Sequence, residues 1–192
     1  MIKIATLGPQ GTFSDKAVQK YLAKNTNLQA QIVYVQTITN VFEELTAKNC
    51  DFGVVPAENS TKTQGLVGET QIGLKKFAVS IVDELVLPVK LSFFSKVEPL
   101  QVKKIFVREE AQNQCLKFLS AYSSAEISFT DSNMASFEKL NECEFFDIAA
   151  VVPSHLFEAN EKKYKFCVRD ITDNSDNHTR FLVLKKSDEA KS

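Results

Sequence analysis

The sequence lacks the marks of most special classes. No apolar run approaches the ~20 residues of a membrane span, so no membrane partner is expected. Met1-Ile2-Lys3-Ile4 runs straight into a strand-like segment, so no secretory leader is expected either. The four cysteines, Cys50, Cys115, Cys143 and Cys167, form no CxxC pair and stand at no Cys/His ligand spacing. A metal site is therefore not expected, and free thiols in a reducing cytoplasm follow as the default. Excess charge is absent too, since 23 Lys and Arg against 24 Asp and Glu leave a formal net charge of -1. Such a chain has no general attraction to nucleic acid or anionic lipid, and any anionic ligand must be drawn in by local groups. What remains is ordinary: 192 residues, 44% hydrophobic and 24% charged, enough for one large core or two small ones.

Along the chain, apolar periodicity alternates between strand and helix. Strands are expected at 2–7, 30–36 and 51–55, the last stopped by Pro56. Helices are expected at 14–24, with Thr12 or Ser14 as N-cap, and at 37–49. A polar loop from Glu58 to Gln64 and a helix from about Gly65 to Lys76 come next, then a β-rich stretch over 78–95. The pattern restarts with strands at 103–107, 125–130 and 147–152 and helices at 110–121 and 133–141. A short helix at 154–159 and strands at 164–168 and 180–185 complete it. The alternation implies parallel sheets built from βαβ units. Two such α/β units in succession imply two lobes with a cleft between them. Ligands of open parallel sheets sit beyond the carboxyl ends of the strands, which marks residues 8–14, 56–65 and the loop before the last strand.

All three segments carry polar motifs. Gly8-Pro9-Gln10-Gly11-Thr12-Phe13-Ser14 places two glycines and two hydroxyls before a helix N-terminus, which suits an anion or simply a tight turn. It is not a P-loop, because no Gly-Lys-Ser/Thr follows. Glu58-Asn59-Ser60, at the end of a buried strand, reads as a substrate-binding row or as a turn that caps the next helix. In His178-Thr179-Arg180-Phe181, Arg180 has the fork to clamp a carboxylate, although such an arginine is usually a surface ion pair.

Taken together, LGPQGTFS, GVVPAENS and TRF resemble the signature of prephenate dehydratases in order and spacing, over essentially the whole chain. The resemblance implies two α/β lobes like a periplasmic binding protein, with the active site in the interlobe cleft. One lobe would comprise 1–80 plus 173–192 and the other 81–172. It implies Thr179 as the essential threonine, Glu58, Asn59 and Ser60 as the substrate-lining row, and Thr12 and Ser14 in the first loop. Arg180 matches the arginine of the motif, and Gln114, within Gln112-Asn113-Gln114-Cys115, matches a substrate-contacting glutamine. The sequence departs from the family at Thr61-Lys62-Thr63-Gln64, a link about two residues longer, and at Val107 to Glu110, where a serine-led run is usual. Only eleven residues follow Phe181, so the family's phenylalanine-binding ACT domain is not expected.

The implied reaction turns prephenate into phenylpyruvate in phenylalanine biosynthesis. Loss of CO2 supplies the electrons that expel the ring hydroxyl, and aromatisation drives the step, so no cofactor or metal is called for. The leaving oxygen needs a proton, which Thr179 would donate or relay; Glu58, if protonated, is the alternative source. Other readings are an arogenate dehydratase, a non-aromatising prephenate decarboxylase, and an inactive small-molecule binding module. Retention of Thr179 favours dehydration. A homodimer is the one protein partnership expected.

Overall fold

The computed structural model describes residues 1–60 and 67–187. Its chain divides into two compact units, Met1–Pro88 with the chain from His178 onward, and Val89–Asn177. The sequence reading put these boundaries at 80/81 and 172/173. They fall later because β4 (Val79–Pro88) and β10 (His178–Lys186) pair along their whole lengths and so belong to one sheet.

The first unit opens with β1 (Ile2–Leu7), α1 (Phe13–Lys24), β2 (Ala30–Val35), α2 (Ile38–Thr46) and β3 (Phe52–Asn59). It continues with α3 (Gly68–Lys76) and β4, and β10 completes it. The strand order is β2-β1-β3-β10-β4. The first three strands are parallel, as the βαβ pattern implies, but β10 runs antiparallel to both its neighbours, so the sheet is mixed. Strand alternation divides the core between two faces. Val54, Leu85, Phe181 and Val183 pack with Ala17, Val18 and Tyr21 of α1. Val55, Leu182 and Leu184 pack with Val41, Phe42 and Leu45 of α2 on the other face. Thr12 and Thr37 cap α1 and α2 by accepting from the N–H groups of Asp15 and Asn40. Gly73 lets α3 approach α2, since a Cβ there would meet the Phe42 ring at 2.2 Å.

Pro56 does not stop β3. A bulge follows it directly, with Ala57 as the extra residue, and the strand runs on to Asn59. The expected start of the third helix at Gly65, the longer link Thr61–Gln64 and the last residues of the tail lie outside the described residues.

The second unit holds β5 (Leu91–Ser95), β6 (Lys104–Val107), α4 (Glu109–Gln112), α5 (Leu116–Leu119) and β7 (Glu126–Phe129). Then come α6 (Asn133–Glu142), β8 (Ile148–Pro153), α7 (Phe157–Asn160) and β9 (Phe166–Val168). Its strand order is β7-β6-β8-β5-β9, with β6, β7 and β8 parallel and β5 antiparallel to β8 and β9. Phe93 and Phe94 point to opposite faces of β5, the first against Phe118 and Tyr122, the second against Phe137 and Tyr164. The single helix expected over 110–121 is broken between α4 and α5, where Cys115 takes a non-helical conformation. No described helix is long and apolar enough to cross a membrane.

Candidate active site

In the first unit the motif residues collect at one end of the sheet. The loop after β1 and the end of β3 lie at the carboxyl ends of parallel strands, and antiparallel β10 begins there. The register between β3 and β10 decides which side chains meet. Phe181 pairs with Pro56, but Arg180 pairs with Glu58 and Thr179 with Asn59, leaving Ala57 as the extra residue. Without that bulge Thr179 would face Glu58. One inserted residue therefore sorts the four polar side chains into two pairs on opposite faces of the sheet. The bulge is backed by α3, where Thr70 donates to the Pro56 carbonyl at 2.6 Å and the Val67 N–H to that of Ala57, also at 2.6 Å.

The first pair is Asn59 and Thr179. The Asn59 amide donates to Thr179 Oγ1 at 2.9 Å across 120 residues of sequence. A hydroxyl that accepts a hydrogen bond keeps its own proton to give, and polarisation makes it a somewhat better donor. The second pair is an ion pair. Arg180 binds both oxygens of Glu58, from Nε at 3.2 Å and from the terminal nitrogen beside it at 2.9 Å. Its other terminal nitrogen donates to Glu84 of β4 at 2.8 Å. The Glu58 carboxylate first, and Glu84 after it, raise the guanidinium pKa above its ordinary value against a smaller effect of burial.

The remaining motif residues of this unit are committed to local structure. Thr12 accepts from the Asp15 N–H at 3.2 Å and donates to the Leu7 carbonyl at 3.2 Å. Ser14 is buried inside the first turn of α1, so Thr12 is the cap. Ser60 closes the end of the ladder, its N–H donating to the His178 carbonyl and its hydroxyl accepting from the His178 N–H, both at 2.9 Å.

Sequence reasoning missed Asp15, Glu84 and Asp173. Buried Asp15 accepts from the Gly11 N–H at 3.0 Å and the Tyr34 hydroxyl at 2.7 Å, fixing the glycine turn. Burial, and then the Asp15 carboxylate, push the Tyr34 hydroxyl pKa up. In the second unit Gln114 lies in the break between α4 and α5. Asp173 staples this segment, its N–H donating to the Gln114 carbonyl at 2.8 Å and its carboxylate accepting from the Lys117 N–H at 3.1 and 3.3 Å. Asp15 and Asp173 leave only the signal of an acid near a turn or helix start, and Glu84 that of a charged residue inside a strand. Among the described residues, no three His, Cys, Asp or Glu side chains are grouped to hold a metal.

Comparison with known proteins gives this geometry a family. The family model for prephenate dehydratase matches residues 4–189. The bifunctional chorismate mutase/prephenate dehydratase of Aquifex aeolicus is 31% identical over 190 residues, covering 97% of this chain and 49% of the relative. The prephenate dehydratase of Lactococcus lactis strain IL1403 is 28% identical over 190 residues, covering 96% of this chain and 64% of the relative. The chain thus spans about half to just under two thirds of the length of these curated relatives. Among solved structures, the Arthrobacter aurescens prephenate dehydratase in complex with L-Phe superposes with a TM-score of 0.77 at 22% identity. That match covers all of this chain and 62% of the other, and it carries the fold alone. A family model running almost end to end, over a fold that gathers three motifs at one sheet end, leaves one assignment: the chain belongs to the prephenate dehydratase family.

Proposed function

We propose that this chain converts prephenate to phenylpyruvate, with Thr179 as the proton donor and Asn59 as the residue that orients it. The observation that carries this reading is the Asn59–Thr179 hydrogen bond, which leaves the threonine proton available for a ligand. In the reaction the bond to the ring carboxylate breaks and CO2 departs. The freed electron pair moves through the ring as it becomes aromatic, and the carbon–oxygen bond opposite breaks. The departing oxygen takes a proton and leaves as water. A threonine hydroxyl is too weak an acid to protonate the substrate beforehand. It serves instead by donating a hydrogen bond that strengthens as negative charge grows on the leaving oxygen, so its help is concentrated in the transition state.

Asn59 supports this in two ways. It fixes the threonine rotamer, and its donation polarises the hydroxyl in the direction the leaving group needs. Glu58 is the weaker choice of donor, because it is ion-paired to Arg180, one oxygen accepting from Nε and the other 2.9 Å from the adjacent terminal nitrogen. We also assign the chain to the cytoplasm, which its four unbridged thiols suit.

The test is product identity. Purified chain is mixed with prephenate and followed by phenylpyruvate absorbance in alkali and by proton NMR. Aromatic ring protons and phenylpyruvate absorbance are expected. A non-aromatic decarboxylated product, or recovered prephenate, contradicts the proposal, and turnover of arogenate alone moves it to the amino form of the substrate.

A further inference from the structure

We infer that Arg180 is a positioning residue for Glu58, braced from the edge strand by Glu84, and is not the cation that grips the substrate's carboxylate. The inference rests on the dehydratase reading and assigns Glu84 a part in it. Three observations carry it. The side-on edge of the guanidinium, the part best shaped for a two-pronged grip, is taken whole by the two oxygens of Glu58, at 3.2 and 2.9 Å. Glu84 holds the opposite terminal nitrogen at 2.8 Å, so a further carboxylate would have to compete with it. The two acids come from the strands on either side of β10, at Arg180's direct partner in β3 and two residues from its partner in β4. The guanidinium is thus held from both sides by the sheet's own register.

Charge points the same way. Two carboxylates around one guanidinium sum to -1, so the triad has no surplus positive charge with which to attract a dianion. The Arg180 side chain is 28% exposed, against 42% and 49% for its partners. It is the inner member of the group. Alternation along β10 sends Thr179 to the other face, so the strand separates the residue that gives a proton from the residue that fixes a carboxylate. With one oxygen accepting from Nε and the other ion-paired to the adjacent terminal nitrogen, Glu58 presents acceptors only, and Arg180 acts by fixing where those acceptors lie.

The test uses the whole chain, with kcat, KM for prephenate and thermal midpoint measured for wild type, Arg180→Lys, Glu84→Gln, Glu58→Gln and the pairwise doubles. Lysine keeps the charge and loses the fork. Arg180→Lys is expected to lower kcat about tenfold with KM nearly unchanged, and adding it to Glu58→Gln should lower kcat no further. Glu84→Gln should lower kcat by about threefold, again without a change in KM, and should add nothing to Arg180→Lys. A large rise in KM with kcat retained, or losses that multiply in the doubles, makes Arg180 a direct substrate ligand and overturns the inference. A lowered thermal midpoint with wild-type kcat overturns it too, since the triad would then be structural only. Wild-type chain that leaves prephenate untouched sinks the dehydratase reading itself and is scored before any variant is compared.

Discussion

The sheet end of the first unit and the break between α4 and α5 in the second hold their polar side chains by different means. In the first, strand register does the work: each motif residue of β3 faces its partner in β10, and one bulge sets the pairing. In the second, Gln114 sits where no ladder runs, and a single residue from a polar loop, Asp173, ties the segment down, its backbone N–H to the Gln114 carbonyl and its carboxylate to the Lys117 N–H. Register is cooperative and stiff, because shifting one pair shifts every pair along the strand. A lone capping carboxylate is a local clasp, worth ~1 kcal/mol. The contrast implies that a substitution at the sheet end disturbs the pairing along the whole ladder, whereas a substitution at the break stays local.

The largest expected effect is at Thr179. Thr179→Val keeps the shape and removes the hydroxyl, and kcat should fall at least ~10²-fold, the lower end for loss of proton-transfer help. KM and the thermal midpoint should stay near wild type. Steady-state kinetics with a melting curve check both, and a collapse of the melting curve would mean that this end of the sheet is held less firmly than its register implies.

Next in size is Asp173→Ala, which frees the Lys117 N–H at the start of α5 and leaves the Gln114 segment tied only by the backbone N–H of residue 173. KM for prephenate should rise roughly fivefold, the equivalent of losing one cap, with kcat little changed. A fall in kcat at constant KM would erase the distinction between the two regions.

The smallest effect tests whether the second unit's polar contacts are as local as they look. Burial alone would push the Asp170 carboxyl up, but hydrogen bonds from Ser154 and Lys90 and the Lys90 and Arg169 charges outweigh it. The net pKa is below the ordinary carboxylate value. A carboxylate depressed in the folded state adds stability above its unfolded pKa of ~3.9, and that stability is lost as pH falls through the folded value. Asp170→Asn should therefore cost at most ~1 kcal/mol at neutral pH. Thermal melts of the two chains should begin to approach each other as the pH drops below ~3.9 and should meet only once it is below the depressed folded value. A difference that persists in acid would mean the contact is steric rather than ionic.

Much of the first unit was legible in the sequence, because α1 and α2 have threonine caps and clear apolar periods, β1 is a short buried run and β2 a short, half-buried one rich in β-branched and aromatic residues. What could not be read was Pro56. A proline without an N–H ordinarily ends a ladder, and only the pairing with β10, more than 100 residues later, shows that a bulge carries β3 past it. Glu58 and Asn59 were recognisable as polar residues at a strand end, but not which would face Thr179 and which Arg180. That assignment depends on a one-residue shift between distant segments. The broken helix at Asn113–Cys115 was hidden for a similar reason. Its local sequence is compatible with helix, and the group that holds the break open, Asp173, lies in a loop of generic polar composition.

The central claim is that Asn59 acts through Thr179, and a double-mutant comparison of kcat reaches it most directly. Thr179→Val, Asn59→Ala and the double variant are each measured with prephenate at saturation. The account predicts that Asn59→Ala alone slows turnover about tenfold, and that the double variant is no slower than Thr179→Val, because the amide has nothing left to orient. A double variant slowed by the product of the two single losses would show two independent contributions, and the pairing across β3 and β10 would not be what makes this site work.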